Sequence, residues 1–247
     1  MNAMRAERMK GRRRMGWLMN AALAGMVLLW CSMGKLNADE RQNGYSAYLA
    51  MMAVADALVM PVGMAALASR AWDMEYRAGS LKLLFTLQSR ESLFGAKAAV
   101  GVRQMLLVSA LHVLGLAALG RIKGATQAFP TGDALLMGLS VFGVNAMLFF
   151  AALWLSIRKE SQALTLGAGA VMSMLGIFSA FMPPRLAVLM PWGYYVKLCT
   201  ITMEYDTHTR VTTFTRVPYD PRFLAVCAVL AAMFAALAWR RFQSREV

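Results

Sequence analysis

Few side chains in this 247-residue sequence could do chemistry, and most of them stand where water would not reach. Two formal charges, Asp56 and Arg103, fall inside long apolar stretches, where an ionised group is costly and usually has a use. Arg103 stands about one and a half turns from the end of its stretch, close enough to snorkel to the headgroups. Asp56 stands near the middle of its stretch, shortly before Pro61, whose ring removes a backbone donor and disrupts the local ladder. Two readings stay open for Asp56: it lines a polar pathway, or it is protonated and bonded to a neighbouring helix. A direct Asp56–Arg103 pair is disfavoured, because the helical rise sets the two about 10 Å apart in depth. Ser140 and His112 are of the types that serve serine hydrolysis, and both lie roughly 10 Å deep by the same count. Cys31, Cys199 and Cys227 show no close spacing, so free or lipid-packed thiols are the simpler reading and a disulfide the alternative. There is no G-x-x-x-x-G-K-[ST] loop to hold ATP and no H-E-x-x-H to hold zinc. The sequence therefore implies no catalytic residue, no metal site and no cofactor bound by the chain itself.

The elements that position these residues are membrane helices. The chain is 59% apolar and only 16% charged, too little polar surface for a water-soluble protein of this size. Six stretches approach the roughly 20 apolar residues needed to cross the hydrocarbon layer: Gly16–Met33, Tyr45–Ala68, Ala98–Gly120, Ala134–Ile157, Ala163–Met182 and Phe223–Trp239. They predict an all-α integral membrane protein with six spans. Arg12, Arg13 and Arg14 before the first stretch imitate a signal peptide, but no convincing cleavage site follows, so an uncleaved first span is expected. The serine-hydrolase reading weakens here. A rhomboid-like dyad would place its histidine on the sixth span and a small residue after the serine, whereas His112 is on the third and Val141 follows Ser140.

A net charge of +13 would suit nucleic acid, yet the cations sit in short blocks between apolar stretches, and no recognition motif accompanies them. Such blocks set membrane orientation. Residues 1–15 form a basic leader with Arg5, Arg8, Lys10 and the three arginines already named. The second connection holds Arg70, Arg77, Lys82, Arg90 and Lys97; the fourth holds Arg158 and Lys159; the tail, 240–247, holds Arg240, Arg241 and Arg245. The opposite short connections hold only Lys35, Arg41, Arg121 and Lys123. Both termini are therefore expected in the cytoplasm, around one membrane domain spanning 16–239. Gly169-x-x-x-Ser173 and Gly176-x-x-x-Ala180 mark the fifth span for close helix contact, with Gly169 and Ser173 as a candidate dimer contact.

Two connections are long. Residues 70–97, on the cytoplasmic side, carry Tyr76, Leu83, Leu84, Leu87 and Phe94 at roughly helical spacing with charges between. Gly79-Ser80 should divide the segment into two short helices, with Ser89 capping the second and Glu91 in its first turn. An amphipathic helix lying on the lipid surface would explain the same pattern. Residues 183–222, outside, begin PPRLAVLM and continue with Pro191, Trp192, Gly193, Tyr194 and Tyr195, expected as short helices whose aromatics anchor at the outer interface. The following MEYDTHTRVTTFTRVPYD is β-prone, a hairpin or a mobile loop.

The pattern Glu75-x-x-x-Gly79-Ser80-x-x-Leu83-Leu84, then Ser89-Arg90 and Lys97, resembles the ABC-2-type ABC transporter permeases. Leu87 stands where that family commonly has a proline. The resemblance implies six spans, amphipathic N-terminal and coupling helices, short outer helices before the last span, and a coupling segment seated in the groove of a separate ATPase. Glu75, Arg77, Gly79, Leu83, Leu84, Ser89, Arg90 and Lys97 would then serve ATPase coupling. Pro191, Trp192, Gly193, Tyr194 and Lys197 are similar to the outer loop of the lantibiotic-immunity permeases. Implied with it are a bacterial inner-membrane location, a second permease chain as homo- or heterodimer, lipid contact, ATP used only by the partner, and export of a peptide or other hydrophobic cargo. A membrane scaffold or sensor with an outer ligand-binding loop is the competing class.

Overall fold

The computed structural model describes residues 16–34, 44–77, 86, 88–205 and 212–244. It contains α1 (Gly16–Met33), α2 (Gly44–Arg77), α3 (Arg90–Ile122), α4 (Thr131–Lys159) and α5 (Gln162–Ser179). A short helix α6 (Pro184–Ala187), a 3₁₀ turn (Pro191–Gly193) and a short helix α7 (Tyr194–Lys197) follow. Strands β1 (Ile201–Tyr205) and β2 (Thr212–Arg216) lead to α8 (Pro221–Gln243). Six of these helices, α1 to α5 and α8, are long and apolar enough to cross a membrane, so the fold is an all-α multi-pass bundle with one small sheet among the described residues. The β-prone stretch forms paired strands: β1 and β2 run antiparallel with Ile201 opposite Arg216 and Met203 opposite Phe214.

At the second connection two helices outrun the apolar runs that predict them. α2 continues past Ala68 to Arg77, and α3 begins at Arg90 rather than Ala98. The flanks of 70–97 are therefore extensions of α2 and α3, and the division expected at Gly79-Ser80 falls outside the described residues. The physical reason is visible at Ser89, whose backbone is extended and whose hydroxyl accepts from the Ser92 N–H at 3.3 Å, so α3 is capped two turns before its apolar run begins. Residues 1–15, with the expected amphipathic leader helix, lie outside the described residues, as do 78–85 and 87, which include Gly79, Leu83 and Leu84.

α2 is the hub. It packs on α1, α3, α4 and α5, and 67% of its apolar window is buried, against 11% for α8. A hub in lipid gains little from hydrophobicity, since lipid tails are as apolar as leucine; it must gain from close packing. Ala47, Ala50, Ala53, Ala57, Ala65 and Ala68, all buried, keep the neighbouring backbones near. The closest approach uses Pro61. Its missing N–H leaves the Ala57 carbonyl without its usual i+4 donor, and α5 lays Gly176 against that oxygen, where an added Cβ would stand only 2.6 Å away. Gly169 lies likewise against the Pro61 carbonyl, at 3.0 Å from an added Cβ.

The two ends of the bundle are built differently. At one end, α2 starts, the sheet lies, and α8 begins; we call it the hairpin end. There the Gln127 side chain accepts from the Tyr45 and Ser46 N–H groups at 3.1 and 3.3 Å, satisfying the first turn of α2. At the other end α2 finishes, α3 starts and α8 finishes. It is ringed by aromatic side chains, and we call it the collar end.

Candidate functional site

Asp56 lies 12 residues into α2, about 18 Å from its first residue at the helical rise, and is 1% exposed. His112 on α3, fully buried, meets it: Nε2 stands 2.8 Å from the Asp56 Oδ1. The other ring nitrogen, Nδ1, is 2.8 Å from the Val108 carbonyl. A carbonyl oxygen only accepts, so Nδ1 carries a proton and donates. Both available states of the contact then have one proton between Nε2 and Oδ1, either as imidazolium and carboxylate or as neutral imidazole and carboxylic acid. Each is neutral overall, and burial favours that neutrality.

Around the pair the polar groups are sparse and incompletely matched. Among the described residues the second oxygen of Asp56, the Ser109 hydroxyl and the Asn145 amide nitrogen are buried without a hydrogen-bond partner. The Tyr195 hydroxyl of α7 donates to the Asn145 Oδ1 on α4 at 2.5 Å. A cavity of about 10 Å³ reaches from Asp56 toward the hairpin end, past Ser140 and Tyr195 to Thr200 and Asp133; it has room for one water molecule. Asp133 closes this side, holding Arg216 of β2 through both oxygens at 2.9 Å. Deeper along α1, the Asn20 amide donates to Gln104 of α3, a second buried polar link to that helix. Cys199 borders the cavity; burial raises its thiol to about 11, so it stays protonated and unreactive at neutral pH.

The collar end has another construction. Trp72 of α2 and Phe242 of α8, both fully buried, meet edge to face at 5.9 Å. Phe94 of α3 lies 5.2 Å from Trp239 and 5.7 Å from Phe242. Two cations of α3 tie the same helices by their backbones. Lys97, 3% exposed, donates to the Ala71 carbonyl of α2 at 2.7 Å. Arg90 donates to the Gln243 carbonyl, one of the last in α8 and so without an intrahelical donor. The aliphatic stem of Lys97 is thus buried while its ammonium finds a carbonyl, which is how a lysine is accommodated at such depth.

The sequence-predicted residues fall unevenly on these two regions. Arg90 and Lys97 are in the collar, Ser89 caps α3 just beyond it, and Glu75 and Arg77 belong to the last turns of α2. Gly79, Leu83 and Leu84 lie outside the described residues. Arg103 is exposed on α3 and takes no part in the Asp56 site. Ser140 does not engage His112: its hydroxyl donates to the Leu136 carbonyl at 2.8 Å and stands 3.2 Å from the Tyr219 hydroxyl. Gly169 packs against α2 at the Pro61 region within the chain, and Ser173 is buried one turn further along α5. One expectation is corrected. Tyr194 and Tyr195 are 3% exposed and not interfacial anchors: Tyr194 donates to the Val188 carbonyl at 2.5 Å and packs on Phe223, and Tyr195 plugs into α4. Between Pro191 and Gly193, Trp192 is half-buried in the 3₁₀ turn. The cysteines are all free. What the sequence reading missed is His112 as the partner of Asp56, and with it the whole collar.

Residues 3–176 match a family model described as ABC-2 family transporter protein. No curated protein gives a significant match to the chain.

Proposed function

We propose that the chain, which belongs to the ABC-2 transporter family by a match over most of its length, is the membrane-spanning permease subunit of an ATP-driven exporter. Members of this family generally work with a separate ATP-binding cassette ATPase, and this sequence has no phosphate loop of its own. In this reading the collar end is cytoplasmic, as the basic blocks of the leader, the second connection and the tail require. The segment from Glu75 to Lys97 docks in the ATPase groove, its leucines as apolar knobs and Glu75, Arg77 and Arg90 as orienting charges. A second permease chain completes the path, in a bacterial inner membrane. Resemblance of Pro191 to Lys197 to the lantibiotic-immunity permeases favours a peptide cargo.

The observation that carries the proposal is where α3 begins. The residues that flank the connection, Arg90, Phe94 and Lys97, are bonded or packed to α2 and α8. A push delivered at the connection therefore reaches three spans at once, which is what a mobile two-state bundle needs to switch access. The test is co-purification: the wild-type chain should bring down an ATP-binding cassette ATPase from its native membranes. Glu75→Arg with Leu84→Asp should abolish this while membrane insertion persists. Equal recovery of the ATPase with the double variant would overturn the assignment.

A further inference from the structure

We infer that Asp56 and His112 form a proton-binding site between α2 and α3, and that parting these helices to water releases that one proton at neutral and alkaline pH. The inference needs no transporter reading; it follows from the geometry of one ring. Because Nδ1 is committed to the Val108 carbonyl at 2.8 Å, the 2.8 Å contact of Nε2 with Oδ1 must contain a proton. Removing it would set two acceptors against each other in a place 0–1% exposed. Adding a second would leave an uncompensated buried cation. Both are strongly disfavoured.

The neighbours do not supply a substitute charge. Those near enough to act on Asp56 or its cavity are Cys31 of α1, Tyr195 of α7, Cys199 and Asp133, with Tyr48 of α2 beyond Cys31 and Cys227 of α8 beyond Tyr195. α5 contributes Gly176 and Ser173 and has no titratable residue. Asp133 is already neutralised by Arg216, and among the described residues no lysine or arginine lines the cavity at Asp56.

In water a free carboxyl ionises near about 3.9 and a free imidazole near about 6.5. Between these limits the separated groups hold the same single proton as the closed pair, so opening is independent of pH. Above about 6.5 the separated groups hold none, and opening becomes tenfold easier per pH unit. Asparagine at position 56 reverses this sign. Its amide donates to a neutral Nε2, so the closed pair holds no exchangeable proton, while the opened His112 still takes one below about 6.5. Opening of Asp56→Asn should then ease as pH falls. If α2 and α3 part during transport, a consequence that does rest on the permease reading, each opening above neutrality sheds one proton.

The experiment is amide hydrogen exchange of segments 52–60 and 106–114 in lipid nanodiscs, from pH 5.5 to 8.5, each profile divided by that of Asp56→Asn/His112→Gln. The wild-type ratio should be flat below about pH 6.5 and rise roughly tenfold per unit above it; Asp56→Asn should show the mirror image. A wild-type ratio flat across the whole range would overturn the inference. A second measurement needs no variant. The chain has two histidines, and ¹⁵N-histidine labelling should show at most one that titrates between pH 5.5 and 8.5, the other keeping its Nδ1 proton throughout. Two titrating histidines would equally overturn it.

Discussion

The middle of α2 and its collar end solve opposite problems with opposite materials. At Asp56 and Pro61 the helix is joined to its neighbours by the absence of bulk, through Gly176, Gly169 and a row of alanines, and by one shared proton. At Trp72 the helix is joined by bulk itself, four rings from three helices, with two cations on backbone carbonyls. The contrast shows where a bundle in lipid can afford to move. An interface of small residues around a neutral polar pair should open to water more readily than an interlocked aromatic collar.

That contrast can be broken by substitution, and the largest effect is expected at the pair. Asp56→Leu or His112→Leu alone should each cost about 3 kcal/mol of stability in detergent, because the remaining partner is buried without a match. The double variant Asp56→Leu/His112→Leu should recover most of this, and a double-mutant cycle of denaturation midpoints reads the difference. Next comes the collar. Trp72→Ala and Phe242→Ala should each cost about 2 kcal/mol, less than in a water-soluble core because lipid is as apolar as the ring it replaces. Here the double variant should recover nothing, which separates volume from polarity as the source of cohesion. Third, Gly176→Ala, whose new Cβ would stand 2.6 Å from the Ala57 carbonyl, should cost about 1–2 kcal/mol. Gly167→Ala on the same helix meets nothing within 4 Å and should gain up to about 1 kcal/mol. The smallest effect lies outside both regions. Asp220 caps α8, and its hydrogen bonds to Arg222 hold its carboxyl below the ordinary carboxylate value. Its contribution is present above that ordinary value and fades as the pH falls through the lowered one; Asp220→Asn should flatten that acid limb in a thermal melt series.

Much of the bundle was legible because hydropathy is a local property of the chain. α1 runs from Gly16 to Met33 in sequence and structure alike, and the six spans fall where the apolar runs do. Ser89 was legible as a cap because its signal lies within three residues. The Asp56–His112 contact was not, since 56 residues separate the partners and nothing local tells which face of α3 meets α2. Depth counting separates Arg103 from Asp56, but no local signal in the chain pairs Asp56 with His112. The collar escaped for a similar reason: Phe94 and Trp239 each look like ordinary span edges until α3 and α8 are brought together. Gly169 and Ser173 were recognised as contact residues, yet small-residue spacing carries no information on whether the partner is another chain or α2.

In the permease reading, events at the collar end reach the core at Asp56, and Cys31 offers a direct reading. Its thiol is fully buried next to the pair, on α1. In a chain with Cys199→Ala and Cys227→Ala, reconstituted with its ATPase, maleimide labelling of Cys31 should change when ATP is added. Phe242→Ala should retain the bound ATPase but lose that change. Labelling that is indifferent to ATP while the ATPase is bound and hydrolysing would contradict the account.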